Sequence, residues 1–265
     1  MYSTLKTKEV LETYKPVKTI LITQPPPANA KNPYSEIVEK YGIQIDWREF
    51  TQVEPIDIKE FRRQRIRPDE FGAVIFTSKN SIDHFFRICE ETRIKMPLDT
   101  RYFCITEAIS NYLQKFIVYR KRKVFTGEKS IHDLKNFLIK FRETEKFLVP
   151  TSNLGARELL SYLDELKINY QESLISNTVS SDLSDLKDIT YDMLVFFSPL
   201  AVKSLYDNFP DFKQNATRLA AYGNSTIQAI LDQGLHLNLK APEPETPSMH
   251  MAILKYLQQS NTENS

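Results

Sequence analysis

At 265 residues, 41% of them hydrophobic and 26% charged, the chain has globular composition and length enough for one large domain or two ordinary ones. The 35 Lys and Arg against 34 Asp and Glu leave a net charge of +1, which excludes a global attraction to nucleic acid or acidic lipid, so an anionic ligand needs a local site. The cysteines Cys89 and Cys104 and the histidines His84, His132, His236 and His250 show no metal-ligand spacing, and the 6 glycines form neither a dinucleotide nor a nucleoside-triphosphate loop.

In chain order, residues 1–14 are expected to be mobile and carry no apolar core of a signal peptide. No later run approaches the ~18 apolar residues of a bilayer span, so a cytoplasmic protein is expected. Lys18 to Thr23 reads as a buried strand, followed by a proline-rich loop from Gln24 to Pro33 and a helix from Tyr34 to Tyr41. Gln44 to Val53 is extended and polar enough to leave a core. The basic group Arg62 to Arg67 then reads as an exposed face.

Phe71 to Phe86 begins with a continuous apolar run, passes through Thr77-Ser78 and continues with apolar residues at helical spacing. That pattern recurs without a gap from Tyr191 to Tyr206. A second strand-and-helix pair matches Arg101 to Leu113 with Arg218 to Ile230, and a third matches Ser130 to Lys135 with Ser248 to Ile253. The basic run Tyr119 to Lys123 reads as an amphipathic strand or loop, not a nucleic-acid site. Lys146 to Thr151 is another strand, leading through Ser152-Asn153 into a helix from Ala156 to Leu166, and Gln171 to Val179 is again extended. Two repeats of about 120 residues, each alternating strand and helix, predict an α/β fold of two doubly wound parallel-sheet domains of similar topology. The two extended segments are the expected crossings between them, a two-strand hinge. A polar tail is expected over 260–265.

Ligands of doubly wound sheets gather at the carboxyl ends of the strands, where helices begin with free N–H groups. Five loops lie there: Thr77-Ser78-Lys79-Asn80, Thr106-Glu107, Thr151-Ser152-Asn153, Ser198-Pro199 and Gly223-Asn224-Ser225-Thr226. Their hydroxyl and amide groups suit carboxylates or phosphates. Each is equally a helix cap, and Lys79 and Arg157 on first helical turns are equally solvated charges. No nucleophile elbow or electropositive cysteine is present, and both thiols are expected to be buried.

The order Phe-Thr-Ser at Phe76 to Ser78, Phe-Phe-Ser-Pro at Phe196 to Pro199, Ala-Tyr-Gly-Asn-Ser-Thr at Ala221 to Thr226 and Ala-Pro-Glu-Pro-Glu-Thr-Pro-Ser-Met at Ala241 to Met249 resembles the uroporphyrinogen-III synthase family. The resemblance runs over about 17–258. It implies one domain of residues 15–49 plus 179–259 and another of 50–178. It also implies the substrate hydroxymethylbilane, a polycarboxylate, closed to uroporphyrinogen III with ring D inverted and with no metal or coenzyme. The enzyme is expected to be a cytoplasmic monomer with no nucleic-acid or membrane partner. Carried over position by position, Thr77, Ser78, Thr151, Ser152, Asn153, Ser198, Gly223, Ser225 and Thr226 match loops that face the family's cleft, with Lys79 and Asn224 beside them. Thr226 takes the place of a threonine that touches substrate.

Two positions depart from the family. Glu107 stands in a loop that is usually neutral, and Ser176 stands where a hinge tyrosine is usual. Ser176, Thr178 and Tyr222 are the candidates to supply that tyrosine's hydroxyl. The alternatives are a catalytically weak or silent relative that binds a tetrapyrrole or another polyanion, and a bilobal sugar- or amino-acid-binding protein, a class that normally carries an export signal.

Overall fold

A computed structural model describes residues 16–27, 32–187 and 189–262, so the expected mobile segment 1–14 and the middle of the proline-rich loop lie outside the described residues. In chain order the first half contains β1 (Thr19–Ile22), α1 (Ser35–Tyr41), β2 (Gln44–Trp47), β3 (Thr51–Pro55), α2 (Ile58–Arg63), β4 (Ala73–Phe76), α3 (Lys79–Glu91), β5 (Arg101–Cys104), α4 (Glu107–Leu113) and β6 (Val124–Thr126). It continues with α5 (Lys135–Phe141), β7 (Phe147–Ser152), α6 (Arg157–Glu165), β8 (Tyr170–Ser180), β9 (Met193–Phe196), α7 (Pro199–Asn208), β10 (Arg218–Tyr222), α8 (Asn224–Asp232), β11 (Leu239–Ala241) and α9 (Met249–Thr262). The chain forms two compact units, one ending at Gln52 and resuming at Val179, the other spanning Val53–Thr178. It passes from one to the other within β3 and again within β8.

The first unit holds a five-stranded sheet in the order β11-β10-β9-β1-β2, and all of its ladders are parallel. The second holds six strands in the order β3-β8-β7-β4-β5-β6, with parallel ladders from β8 through β6. Set side by side, β1, β2, β9, β10 and β11 occupy the places of β7, β8, β4, β5 and β6. Each set has the flavodoxin-like spatial order 2-1-3-4-5. The second unit is a circular permutation of the first: its chain enters at the third strand and closes with the pair that opens the other unit.

A parallel sheet covered on both faces needs strands that are apolar throughout. β4 and β9 satisfy this, with all four residues of each buried. Their alternate residues feed separate cores: Val74 and Phe76 pack with Ile82, Phe85 and Tyr102, while Ala73 and Ile75 pack with Phe103, Phe147 and Leu163. In the other unit Met193 and Val195 meet Ile20, Ile22 and Ile253, and Leu194 and Phe196 meet Leu21, Val202 and Ile230. Cys89 and Cys104 sit in the first of these cores, and burial pushes both thiols up to about 12, so they stay protonated near neutrality.

The sequence reading is corrected at one end. The expected tail from Ser260 is still helix to Thr262, because Ile253, Tyr256, Leu257 and Ser260 are buried at helical spacing. Residues 263–265 lie outside the described residues. The basic run, read as a strand or a loop, is a loop that ends in a 3₁₀ turn, Lys121–Lys123. Among the described residues, no helix is long and apolar enough to cross a membrane.

The first unit is assembled from two stretches of chain, and Asp192 joins them. Its Oδ2 accepts from Lys18 N (2.8 Å), Thr19 N (3.0 Å) and Thr19 Oγ1 (3.2 Å), and its own N–H donates to Thr19 Oγ1 (3.0 Å). Asp192→Ala is expected to lower stability by about 1.5–3 kcal/mol, the range for hydrogen bonds to a charged group, read as a lower urea midpoint at unchanged slope.

Candidate functional site

The strands of a parallel sheet all end at one edge, and a crevice opens where the strand order reverses. That point lies between β1 and β9 in the first unit and between β4 and β7 in the second. In the first unit the reversal is bridged by Thr23, whose N–H (3.1 Å) and hydroxyl (2.9 Å) both donate to Val195 O. Sequence reasoning passed over Thr23 because it looks like the end of a strand.

Across the reversal, Ser198 caps α7: its Oγ accepts from Ala201 N (3.2 Å), with Pro199 at the first helical position. Phe197 beside it stacks on Tyr222 at the end of β10, with ring centroids 5.9 Å apart and an interplanar angle of 27°. Gly223 follows with φ +83, a conformation that L side chains rarely adopt. That turn brings the Gly223 carbonyl under Thr226 N (3.1 Å) and Ile227 N (3.1 Å). Asn224 and Ser225 face outward, whereas Thr226 is 1% exposed. The residue expected to touch substrate is therefore the one the turn buries.

In the second unit Ser78 caps α3 through a reciprocal pair, Ser81 N to Ser78 Oγ (3.0 Å) and Ser78 N to Ser81 Oγ (3.2 Å). Thr77 is half-buried and Lys79 and Asn80 are exposed. The Lys79 ammonium lies 5.7 Å from the centre of the Tyr112 ring, whose hydroxyl donates to Asp83 Oδ1 (2.7 Å). Glu107 is exposed on the first turn of α4, and Thr106 before it caps nothing with its side chain.

The β7 end is built around two side-chain amides. Asn153 Oδ1 accepts from Thr178 N (2.7 Å) and its Nδ2 donates to Thr178 O (3.2 Å), while Gln64 makes the same two-way contact with Leu174 (2.9 and 2.8 Å). Between these clasps β8 carries a bulge: Thr151 pairs with Leu174 but Ser152 pairs with Ser176, leaving Ile175 as the extra residue. The bulge breaks the alternation of the strand, so Ile175 and Ser176 are both buried. Ser176, expected to present a catalytic hydroxyl, is 5% exposed, and Thr151 is buried with its hydroxyl donating to Glu172 Oε1 (2.7 Å). Ser152 and Arg157, with Gln64 and Glu172, line a pocket of about 510 Å³ here. Gln64 had no visible signal, since it sits inside a run of arginines.

Residues 128–130 show what such a loop can hold. The Asp133 carboxylate accepts from Lys129 N (2.8 Å), Ser130 N (2.9 Å) and Glu128 N (3.1 Å), and these bonds lower its pKa. A nest of backbone N–H groups after β6 thus binds a carboxylate, though the chain's own. A cavity of about 890 Å³ in the first unit opens by Asp192 and Arg218, at the starts of β9 and β10 and so away from all these loops.

The family model described as uroporphyrinogen-III synthase HemD matches residues 32–250, which takes in every strand but β1 and all of the strand-end loops after β4, β5, β7, β9 and β10. The chain belongs to the uroporphyrinogen-III synthase family. Among solved structures it is similar to uroporphyrinogen-III synthetase from Helicobacter pylori 26695, at 16% identity and a TM-score of 0.53, over 91% of this chain and 99% of that one. It is also similar to a mutant uroporphyrinogen III synthase from the extremely thermophilic bacterium Thermus thermophilus, at 14% identity and a TM-score of 0.46, over 91% and 99%. No curated protein matches it. The first likeness bears on fold; the family assignment rests on the family model.

Two outcomes follow for β8. Asn153→Ala is expected to speed hydrogen exchange at the Thr178 amide by removing its acceptor, and to cost about 1–2 kcal/mol of stability. Ser176→Tyr is expected to overpack its buried position at a cost of about 1–3 kcal/mol, visible as a lower melting temperature, and not to add a usable hydroxyl.

Proposed function

We propose that this chain works as a cofactor-free uroporphyrinogen-III synthase whose strand-end loops bind the carboxylates of hydroxymethylbilane. The observation that carries the reading is the family match across both units. The reaction asks little of side chains: ring A loses its hydroxyl to give an azafulvene cation, the ring D carbon attacks it, and a spiro intermediate rearranges before closure. An enzyme promotes these steps by fixing the chain ends and shielding the cation from water.

The capping serines serve that task without leaving their caps. In accepting from Ser81 N and Ala201 N, the oxygens of Ser78 and Ser198 use a lone pair and keep the hydroxyl proton for a carboxylate. Lys79, Asn224 and Ser225 add exposed donors, and Ser152 and Arg157 add a hydroxyl and a guanidinium at their pocket. Asn153 and Thr226 act by holding the loops, Thr226 through its N–H to Gly223 O. In this reading Gly223 supplies the bend, Thr77 and Thr151 support their strands, and Thr178 is the remaining hydroxyl at the end of β8. We place the enzyme in the cytoplasm as a monomer acting on a small molecule, without nucleic acid or membrane.

The exposed Glu107 and the buried Ser176 favour a second reading, a weak or silent relative that binds a tetrapyrrole or similar polyanion. Separation of uroporphyrin isomers after incubation with fresh hydroxymethylbilane distinguishes the two. Isomer III in excess is expected; isomer I alone at the spontaneous rate overturns the enzyme reading. Ser78→Gly and Ser198→Gly keep most of each cap's stability, since glycine at such a cap costs only a few tenths of a kcal/mol. Each is expected to weaken kcat/KM by about 1–3 kcal/mol through loss of a hydrogen bond to a charged group.

A further inference from the structure

At the amino edge of the second sheet, where Thr100 precedes β5 and Val124 opens β6, lies a pocket of about 370 Å³. It is on the opposite edge from the loops after β4, β5 and β7, and its size falls within the ~300–1,000 Å³ typical of small-molecule sites. Phe86, Met96, Ile117 and Val124 make its wall apolar. Cys89 shares that wall as a protonated thiol, pushed up to about 12 by burial first and then by the charge of Asp69, so it adds no charge.

Large apolar side chains stand exposed around the pocket: Leu98 is 64% exposed, Val118 71% and Phe116 37%. An exposed apolar cluster beside a concavity, rimmed by charge, marks a binding surface rather than ordinary scatter. The rim is the basic run that stood out in the sequence. Lys123 is already committed, its ammonium lying 3.1 Å from Asp99 Oδ1 and 3.0 Å from Asp99 O. Lys95 and Arg120 also line the pocket, and among the described residues neither forms a salt bridge, Arg120 feeling only the weaker field of Asp99, whose contact is with Lys123. Glu90 is the one acid in the lining. The uncommitted charge at the mouth is therefore positive.

We propose that this pocket binds a small anionic amphiphile, its apolar body against Phe86, Met96 and Val118 and its carboxylate at Lys95 and Arg120. An apolar wall with two cations at its mouth that form no salt bridge complements that shape of molecule, and a volume of about 370 Å³ suits a single chain or ring better than a peptide.

Calorimetric titration of the full chain with dodecanoate, and separately with the cationic amphiphile dodecyltrimethylammonium, tests this. Saturable dodecanoate binding is expected, stronger than that of the cation by at least about tenfold, the equivalent of ~1.4 kcal/mol. Lys95→Glu combined with Arg120→Glu is expected to abolish that preference, and Val118→Asp, a change at an exposed position, to weaken binding of dodecanoate. Absence of saturable dodecanoate binding, equal binding of both amphiphiles, or a preference that survives the double substitution would each overturn the proposal. So would sedimentation with phosphatidylglycerol vesicles in a protein that ignores dodecanoate, which would assign the rim to a membrane surface. Because the readout is binding, the result stands apart from whether isomer III is formed.

Discussion

The parallel ladder between β1 and β9 is the constraint on which the first unit depends. It joins Ile20 to Met193 and Ile22 to Val195, and without it the unit would be two fragments, β1-β2 and β9-β10-β11. Joining strands so far apart in sequence costs loop-closure entropy, but that cost grows only with the logarithm of loop length. The inserted unit limits it further, because the strands by which the chain leaves and returns, β3 and β8, are neighbours in its own sheet. Asp192 closes the join by taking the N–H groups of Lys18 and Thr19, just before and at the start of the entering strand. The strand order reverses at that same ladder, so the interaction that completes the fold also sets the switch point of the sheet.

Capping a helix does not use up a serine at a strand end. Ser78 and Ser198 satisfy helix N–H groups with an oxygen and retain a hydroxyl proton for another acceptor. Asp133 is the counterexample: with its carboxylate folded into residues 128–130, that loop is closed to another anion. The cap is a serine in both loops, Ser78 and Ser130, and the difference lies three residues on, where Ser81 brings no charge and Asp133 brings a carboxylate.

The sheets, the repeat and the strand-end loops were legible because continuous apolar runs followed by Thr-Ser or Ser-Pro admit few other structures. What escaped was local geometry that changes a residue's facing. The bulge at Ile175 has no sequence mark, yet it turns Ser176 inward and removes it from the surface. α8 begins after Gly223, whose φ is positive, with Thr226 and Ile230 on its buried stripe and Asn224 and Ser225 outside. Gln64 was hidden by the charges around it, although its amide matters more to β8 than the arginines do.

The permuted repeat also shows where the two units have diverged. The loops after β4 and β9 occupy equivalent places and keep the same device, a serine cap on the following helix. The loops after β5 and β10 are equivalent too, but one begins its helix with Glu107 and the other with Asn224 after a glycine bend. A helix N-terminus stabilises negative charge, and Glu107 supplies that charge from within, whereas the turn at Gly223 leaves the positive end of α8 unanswered. A polycarboxylate would therefore meet attraction at the β10 loop and repulsion at the β5 loop.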